Sequence, residues 1–148
     1  MSSKIINIPK RKKKVNNQKF DYNKITNFEN IVKTAYNKSL IKYPVHLTKG
    51  NEKVLCKIFK YIDKNDWVLC GWRNHAHALL HGISEDFLFS QIMKGKSMYI
   101  SSKKNKFFSS SIAGGIMPIA LGLALSIKKK KKKNKVWLFI GDMTSTMG

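Results

Sequence analysis

Two short apolar segments constrain the fold of this chain more than any other feature of its sequence. Residues 67–70 and 136–140 are rich in aliphatic and aromatic side chains, and turn-forming residues flank them. Runs of this length and composition are typical of buried β-strands. Because sequence with helical periodicity separates them, we predict an α/β architecture with a partial parallel sheet flanked by helices.

Five helices are predicted around these strands. Pro44 interrupts the first helical pattern, Gly82 is a natural helix stop, and Ser84 is a typical residue for a helix start. The last helix is rich in Gly, Ala and Leu, and we expect it to be buried. The predicted helices cover residues 21–42, 46–62, 78–81, 87–93 and 118–127.

The charge of the chain is strongly positive, with 29 Lys and Arg against 8 Asp and Glu and a formal net charge of +21. Much of it lies in two lysine-rich runs, at residues 10–14 and 128–133. Residues 1–19 are polar, basic and without periodicity, which predicts a flexible arm. The lysine runs are interpreted as solvated surface, and the alternative is a site for nucleic acid or anionic lipid.

The apolar stretch at residues 112–127 is too short for a membrane span, which needs about 20 apolar residues, and Gly and Pro interrupt it. We therefore predict no membrane span. Cys56 and Cys70 have no CxxC spacing and no histidine at a spacing that suggests a zinc site, so both are expected to be reduced and buried. The basic N-terminus lacks the apolar core of a secretory signal, which favours a cytoplasmic location.

Polar residues follow both predicted strands. Gly141 and Asp142 come directly after the second strand, and Arg73 and His75 come shortly after the first. Open α/β sheets bind ligands beyond the carboxyl ends of their strands, and an Asp at that place can hold a hard cation such as Mg²⁺. A plain turn after the strand is the alternative interpretation of Gly-Asp.

Four blocks of the sequence resemble the alpha subunits of thiamine-diphosphate-dependent two-oxoacid dehydrogenases. Gly-Asp-Met-Thr at residues 141–144 is similar to the Gly-Asp-Gly-Ala that begins the cofactor motif of this family. Residues 110–122 resemble the segment before that motif, residues 72–75 resemble Tyr-Arg-x-His, and residues 46–52 match His-Leu-x-x-Gly-x-Glu. The blocks stand in the order of the family, which implies that residues 20–148 form the N-terminal part of a thiamine-diphosphate-binding domain.

The resemblance implies thiamine diphosphate and Mg²⁺ as cofactors and a small 2-oxo acid as substrate. Asp142 would ligate Mg²⁺, and Arg73 would donate to a diphosphate oxygen. His46 and His75 would be catalytic groups near the reactive carbon of the coenzyme, with a hydrogen-bonded structural role as the alternative. The other implied cofactor contacts are Trp72, which replaces the usual Tyr, and Ser111, Ile112, Ala113, Gly141, Met143 and Thr144.

The predicted function is that of the N-terminal portion of an alpha-type 2-oxoacid dehydrogenase or decarboxylase, an oxidoreductase. The sequence ends six residues after Asp142, before the Asn that completes the metal site in the family. The resemblance therefore predicts little activity alone, and an exposed sheet edge at residues 136–140. A beta-like subunit or complementary C-terminal chain would supply that Asn and a catalytic Glu within an oligomer. The rival hypothesis is a non-enzymatic basic module that binds nucleic acid or an anionic membrane.

Overall fold

A computed structural model of the protein describes residues 21–146, so the flexible arm predicted at residues 1–19 lies outside the described residues. Helices separate the two strands that the sequence predicts at residues 67–70 and 136–140. In chain order the elements are α1 (Tyr22–Asn37), α2 (Glu52–Phe59), β1 (Trp67–Cys70), α3 (His75–Leu80), α4 (Glu85–Met93), β2 (Ser101–Ser102), β3 (Phe107–Ser109), α5 (Ile116–Lys129), β4 (Val136–Phe139) and α6 (Asp142–Thr146).

The four strands form one sheet in the order β2-β3-β1-β4. The central strand β1 pairs in parallel with β3 on one side and with β4 on the other. The two-residue strand β2 is antiparallel to β3, which makes the sheet mixed. The prediction of an α/β fold with a partial parallel sheet is confirmed, and β4 is the edge strand that was predicted at residues 136–140.

Local sequence signals begin the first and fourth helices. The Asp21 side chain caps α1 by accepting a hydrogen bond from the backbone N of Asn23 at 2.9 Å. Ser84 caps α4 in the same way. Two acidic residues follow it in the first turn, where their negative charge interacts favourably with the positive end of the helix dipole. The first helix ends sooner than predicted, because Ser39 adopts a left-handed backbone conformation with φ of 57°.

Helices cover both faces of the sheet, so β1 is buried on both sides. Val68 and Cys70 belong to the larger hydrophobic core, which α1 to α4 build on one face. Leu69, which points to the opposite face because side chains alternate along a strand, packs with Ile116 and Ala120 of α5. Cys56 and Cys70 are free and buried, as predicted.

The prediction that the helix at residues 118–127 is buried is wrong for the described part of the chain. Only Ile116 and Ala120 of α5 are buried, whereas Leu121 and Leu125 are 61% and 57% exposed. One face of the helix packs on the sheet, and its apolar outer face is exposed to solvent. Among residues 21–146 no helix has both the length and the apolarity to cross a membrane. The cytoplasmic location stays a prediction.

Three short elements were not predicted. The segment expected to be a loop at residues 94–106 contains β2, the strand β3 follows it, and residues 142–146 form the helix α6. Helix α2 begins at Glu52 and not at residue 46, and α3 begins already at His75. The lysine run expected to be a loop starts inside α5, which includes Lys128 and Lys129.

Candidate functional site

The carboxyl ends of three parallel strands meet at one edge of the sheet, which we call the carboxyl edge. In the register of the sheet Cys70 of β1 pairs with Ser109 of β3 and with Phe139 of β4. The segments that leave these strands are residues 71–74, 110–115 and 140–144. All nine residues predicted to contact a cofactor lie in these segments, so the topology brings them to the same edge of the molecule.

Two charged residues lie at equivalent distances along the chain from the ends of neighbouring strands. Arg73 lies three residues after Cys70, and Asp142 lies three residues after Phe139, the register partner of Cys70. Both are exposed to solvent. Because β1 and β4 are adjacent and parallel, a basic and an acidic side chain border the same end of the sheet without being buried.

The segment from β3 adds mostly exposed groups to the carboxyl edge. Ser111, Ile112 and Ala113 are exposed, and Ile112 is 70% exposed although it is apolar. The turn is completed by Gly114, whose φ of 76° favours glycine. Both backbone groups of Ile112 are hydrogen-bonded within the turn, its N to Oγ of Ser110 and its carbonyl oxygen to the backbone N of Gly115, whereas its apolar side chain is open to solvent.

Asp142 is the first residue of α6 and is held by local contacts. Its Oδ1 atom accepts a hydrogen bond from the backbone N of Met143 at 2.9 Å. Gly141 and Met143 are exposed, and Thr144 is half-buried. No group of three or more His, Cys, Asp or Glu side chains arranged to hold a metal ion is found within residues 21–146.

His46 joins the carboxyl edge through an aromatic contact. Its ring lies beside the indole of Trp72, with 6.2 Å between the ring centroids and an interplanar angle of 51°. Both side chains are half-buried. The structure therefore places His46 next to the segment that carries Arg73, although 26 residues separate His46 from Trp72 in the sequence.

His75 occupies a different kind of place, because its side chain is fully buried. Its Nδ1 atom lies 3.2 Å from Oε2 of Glu29, and its Nε2 atom lies 3.0 Å from Oγ of Ser97. Both ring nitrogens are thus engaged inside the protein. A catalytic role for His75 stays a prediction, and the contacts favour the alternative of a hydrogen-bonded structural role.

Four buried polar residues that support the carboxyl edge were not predicted. They are Glu29, Asn74, Ser97 and Ser109. Asn74 donates through Nδ2 to the carbonyl oxygen of Ser97 at 2.8 Å and to Oγ of Ser109 at 3.0 Å. These bonds connect the segment after β1 with the end of β3. A signal for Glu29 exists in the sequence, since this carboxylate lies at helical spacing from the apolar residues Ile25 and Val32.

The two remaining histidines lie in the core below the edge. Burial lowers the pKa of His77 to about 4, and the ring of His77 lies edge-on to the ring of Phe139 with 4.6 Å between centroids. Burial also lowers the pKa of His81, whose Nε2 atom is 3.1 Å from the carbonyl oxygen of Asp66. Both side chains are therefore neutral near pH 7 and pack as part of the core.

A separate cavity lies at the opposite end of β4. It has a volume of about 690 Å³, and it is formed where the chain passes from α5 to β4. Four lysines and three apolar residues are among the residues that line it. The lining residues are Ala124, Ile127, Lys128, Lys132, Lys133, Asn134, Lys135 and Val136.

Comparison with known proteins identifies the family of the chain. Residues 21–148 match the family model described as dehydrogenase E1 component, and the protein belongs to this family. The pyruvate dehydrogenase E1 component subunit alpha of Rickettsia bellii is 30% identical over 113 residues, which is 70% of this chain and 35% of that subunit. The mitochondrial subunit of the same name from Dictyostelium discoideum is 26% identical, over 81% of this chain and 34% of its own length.

A third relative, the corresponding subunit of Porphyra purpurea, is 29% identical over 82% of this chain and 40% of that protein. These matches confirm the predicted resemblance to alpha-type subunits of 2-oxoacid dehydrogenases. The chain spans about a third of the length of the first of these relatives.

Proposed function

We propose that this chain is the alpha-type portion of a thiamine-diphosphate-dependent 2-oxoacid dehydrogenase and that its carboxyl edge binds the diphosphate of the coenzyme. The observation that carries the proposal is the parallel pairing of β1 with β4, because Arg73 and Asp142 each lie three residues after the paired ends of these strands, Cys70 and Phe139. The relatives, which are named pyruvate dehydrogenase E1 alpha subunits, support a small 2-oxo acid as the substrate class.

The residues at this edge fit a diphosphate held with Mg²⁺. Arg73 is exposed, and its guanidinium can donate two parallel hydrogen bonds to phosphate oxygens. Asp142 presents a carboxylate, which is a preferred ligand of Mg²⁺. Trp72, Ile112 and Met143 add apolar surface for the rings of the coenzyme, and Ile112 and Met143 are each 70% exposed.

Residues at the carboxyl edge would hold thiamine diphosphate, which would supply a nucleophilic carbon and an electron sink for the decarboxylation of a 2-oxo acid. The chain contributes binding and orientation. Arg73 and Asp142 anchor the charged end of the coenzyme, while the backbone of Ser111 and Ala113 offers hydrogen-bonding groups to its polar ring and Ile112 contributes its exposed side chain. His46, half-buried against Trp72, is placed to hold or release a proton at its imidazole near the bound substrate.

The proposed site includes groups from outside residues 21–146. Mg²⁺ prefers near-octahedral oxygen coordination, and among residues 21–146 no cluster of three candidate ligands surrounds Asp142. We propose that a beta-like subunit or a complementary C-terminal chain supplies an Asn ligand and a catalytic Glu, so that the active unit is an oligomer. The isolated chain is then expected to bind the coenzyme weakly.

Nuclear magnetic resonance of the full 148-residue chain, ¹⁵N-labelled and titrated with thiamine diphosphate and MgCl₂, tests the proposal. We expect shift changes concentrated at residues 72–73, 111–113 and 141–144. Arg73→Ala is expected to weaken binding at least about tenfold, since it removes charge-assisted hydrogen bonds. Lys103→Ala is the control, because it removes an exposed positive charge away from the edge. Shift changes that avoid the carboxyl edge, or equal effects of the two variants, would contradict the proposal.

A second candidate function is the binding of a polyanion, and the lysine-lined cavity between α5 and β4 favours it. Titration of the same labelled chain with a single-stranded DNA oligonucleotide and with anionic lipid vesicles distinguishes the two. Polyanion binding predicts shift changes at residues 124–136, an affinity that falls steeply with salt, and no effect of Asp142→Asn. Thiamine diphosphate binding predicts instead that Asp142→Asn weakens the affinity for the coenzyme.

A further inference from the structure

We propose that Glu29 is a positioning residue for the carboxyl edge. Glu29 holds the segment that contains His46 and the turn that contains Trp72 and Arg73 in their relative places. It acts through the backbone of Thr48 and the ring of His75. The inference rests on the proposed function, because it concerns the same edge of the sheet. Glu29 itself lies on α1, on the far side of His75 from Ser97.

One carboxylate joins three segments of the chain. Oε1 of Glu29 accepts a hydrogen bond from the backbone N of Thr48 at 3.1 Å, and its Oε2 lies 3.2 Å from Nδ1 of His75. Glu29 is 5% exposed and His75 is fully buried. Thr48 is two residues after His46, and His75 is two residues after Arg73, so both contacts are made next to residues of the proposed site.

Because Glu29 is buried, its carboxylate depends on these contacts for hydrogen bonds. A carboxylate away from water is strongly unfavourable unless hydrogen-bond donors satisfy it. The backbone N–H of Thr48 is one such donor, and Nδ1 of His75 is a second when it carries a hydrogen. Both come from segments that lead to the carboxyl edge. Movement of either segment away from α1 would leave one oxygen of the buried carboxylate without its partner, so the carboxylate restrains both segments.

The turn after β1 is also held from its other side. Nε2 of His75 contacts Oγ of Ser97 at 3.0 Å, and the neighbouring Asn74 donates to the carbonyl oxygen of Ser97 at 2.8 Å. The ring of Phe28 packs edge-on to His75 with 6.1 Å between centroids, which fixes the plane of the imidazole. The ring contact of His46 with Trp72 is therefore formed between two segments that Glu29 connects.

The direction of the hydrogen bonds distinguishes positioning from simple space filling. An ionised carboxylate only accepts, so Nδ1 of His75 carries a hydrogen when it bonds Glu29. In Glu29→Gln the amide oxygen can still accept from Thr48, whereas the amide nitrogen must donate to Nδ1 of His75. That exchange requires a neutral His75 with its hydrogen on Nε2, where it can donate to Ser97. Glu29→Gln can therefore keep the geometry while it reverses the tautomer, and Glu29→Ala removes both bonds.

The experiment compares Glu29→Gln and Glu29→Ala with the wild type, using the full chain. Long-range ¹⁵N–¹H spectra assign the hydrogen on each ring nitrogen of His75, and a nuclear Overhauser contact reports the proximity of His46 and Trp72. We expect Glu29→Gln to move the hydrogen to Nε2, to keep the ring contact and to bind thiamine diphosphate with Mg²⁺ within about twofold of wild type. Glu29→Ala should lose the ring contact and bind at least about fivefold more weakly.

Glu85→Gln serves as the matched control, since Glu85 pairs with Lys24 on the surface and should change none of these readouts. An unchanged His46–Trp72 contact in Glu29→Ala would overturn the inference whether or not the coenzyme binds. If Glu29→Ala does not fold, the tautomer of His75 in Glu29→Gln decides, and a hydrogen that stays on Nδ1 overturns it. Absence of coenzyme binding by wild type would instead contradict the proposed function, because the ring contact is measured without ligand.

Discussion

Trp137 donates its indole Nε1 hydrogen to Oδ2 of Asp66 at 2.9 Å, and this bond joins the edge strand β4 to the turn before β1. Asp66 is 5% exposed. Its Oδ1 accepts from the backbone N of Lys135 at 2.8 Å, and its Oδ2 also accepts from the backbone N of Asp63 at 3.3 Å. One buried carboxylate therefore holds the start of β4 against the start of β1.

We expect Asp66→Ala to destabilise the chain by about 2 kcal/mol, because it removes a buried acceptor from the part-buried donors of Trp137 and Lys135. Urea unfolding monitored by tryptophan fluorescence measures this loss. Asp86→Ala is the control, since Asp86 is exposed in the first turn of α4 and should cost less than about 1 kcal/mol. Equal losses in the two variants would show that Asp66 does not hold β4.

Asn74 supports a second prediction, about the buried network between the end of β1 and the end of β3. Its side chain is fully buried and donates to Ser97 and Ser109. Asn74→Asp replaces these donors by a buried charge of nearly the same shape, so we expect a loss of about 3 kcal/mol or more. Asn105→Asp is the matched control, because Asn105 donates to the carbonyl of Gly82 near the surface. Thermal unfolding of both variants at pH 7.5 should show the larger decrease for Asn74→Asp.

The sequence was sufficient to predict the part of the fold that carries the candidate site. Strand β1 was predicted at its observed residues, and β4 to within one residue, because short apolar runs between turn-forming residues have few other stable conformations. Once two strands are parallel, the residues that follow them must share an edge of the sheet. The common location of Arg73 and Asp142 follows from that rule and needs no side-chain detail.

Other features depend on contacts that are distant in the sequence. Strand β3 has three residues, too few for periodicity to distinguish it from a loop, and it forms because β1 offers backbone partners. The apolarity of α5 indicates that its surface suits burial, but not which polypeptide covers it. Glu29 is separated from His75 by 46 residues, so only the folded chain reveals the pair.

A third prediction contrasts two glycines. Gly95 has φ of 76°, and a Cβ atom placed there would lie 2.9 Å from ring carbons of Tyr43. Gly95→Ala is therefore expected to cost about 1–3 kcal/mol, from both the backbone conformation and the contact with the ring. Gly122 lies inside α5 with open space around its position. Gly122→Ala is expected to stabilise the chain by about 0.5–1 kcal/mol, since alanine favours helices. Urea midpoints that shift in the same direction for both variants would refute this contrast.

The last prediction concerns the acid sensitivity of the fold and rests on His77. Burial lowers its pKa to about 4, below the ordinary value of 6.5 that it regains on unfolding. The unfolded chain therefore binds a proton at this site more readily than the folded chain. The contribution of neutral His77 to stability is complete above pH 6.5 and decreases as the pH falls toward 4, by at most about 3 kcal/mol. Below pH 4 both states are protonated at this residue, and no further loss arises from it.

His77→Leu removes the titrating group and keeps an apolar side chain of similar size against the stacked rings of Phe59 and Phe139. We expect the free energy of unfolding of this variant, measured by urea titrations between pH 7.5 and pH 4, to fall less steeply than that of wild type. Part of the slope should remain, because burial also lowers the pKa of His81. Phe59→Leu alters the same cluster without removing a titratable group, so its slope should match wild type. A slope in His77→Leu as steep as in wild type would mean that protonation of His77 does not limit the stability of the fold in acid.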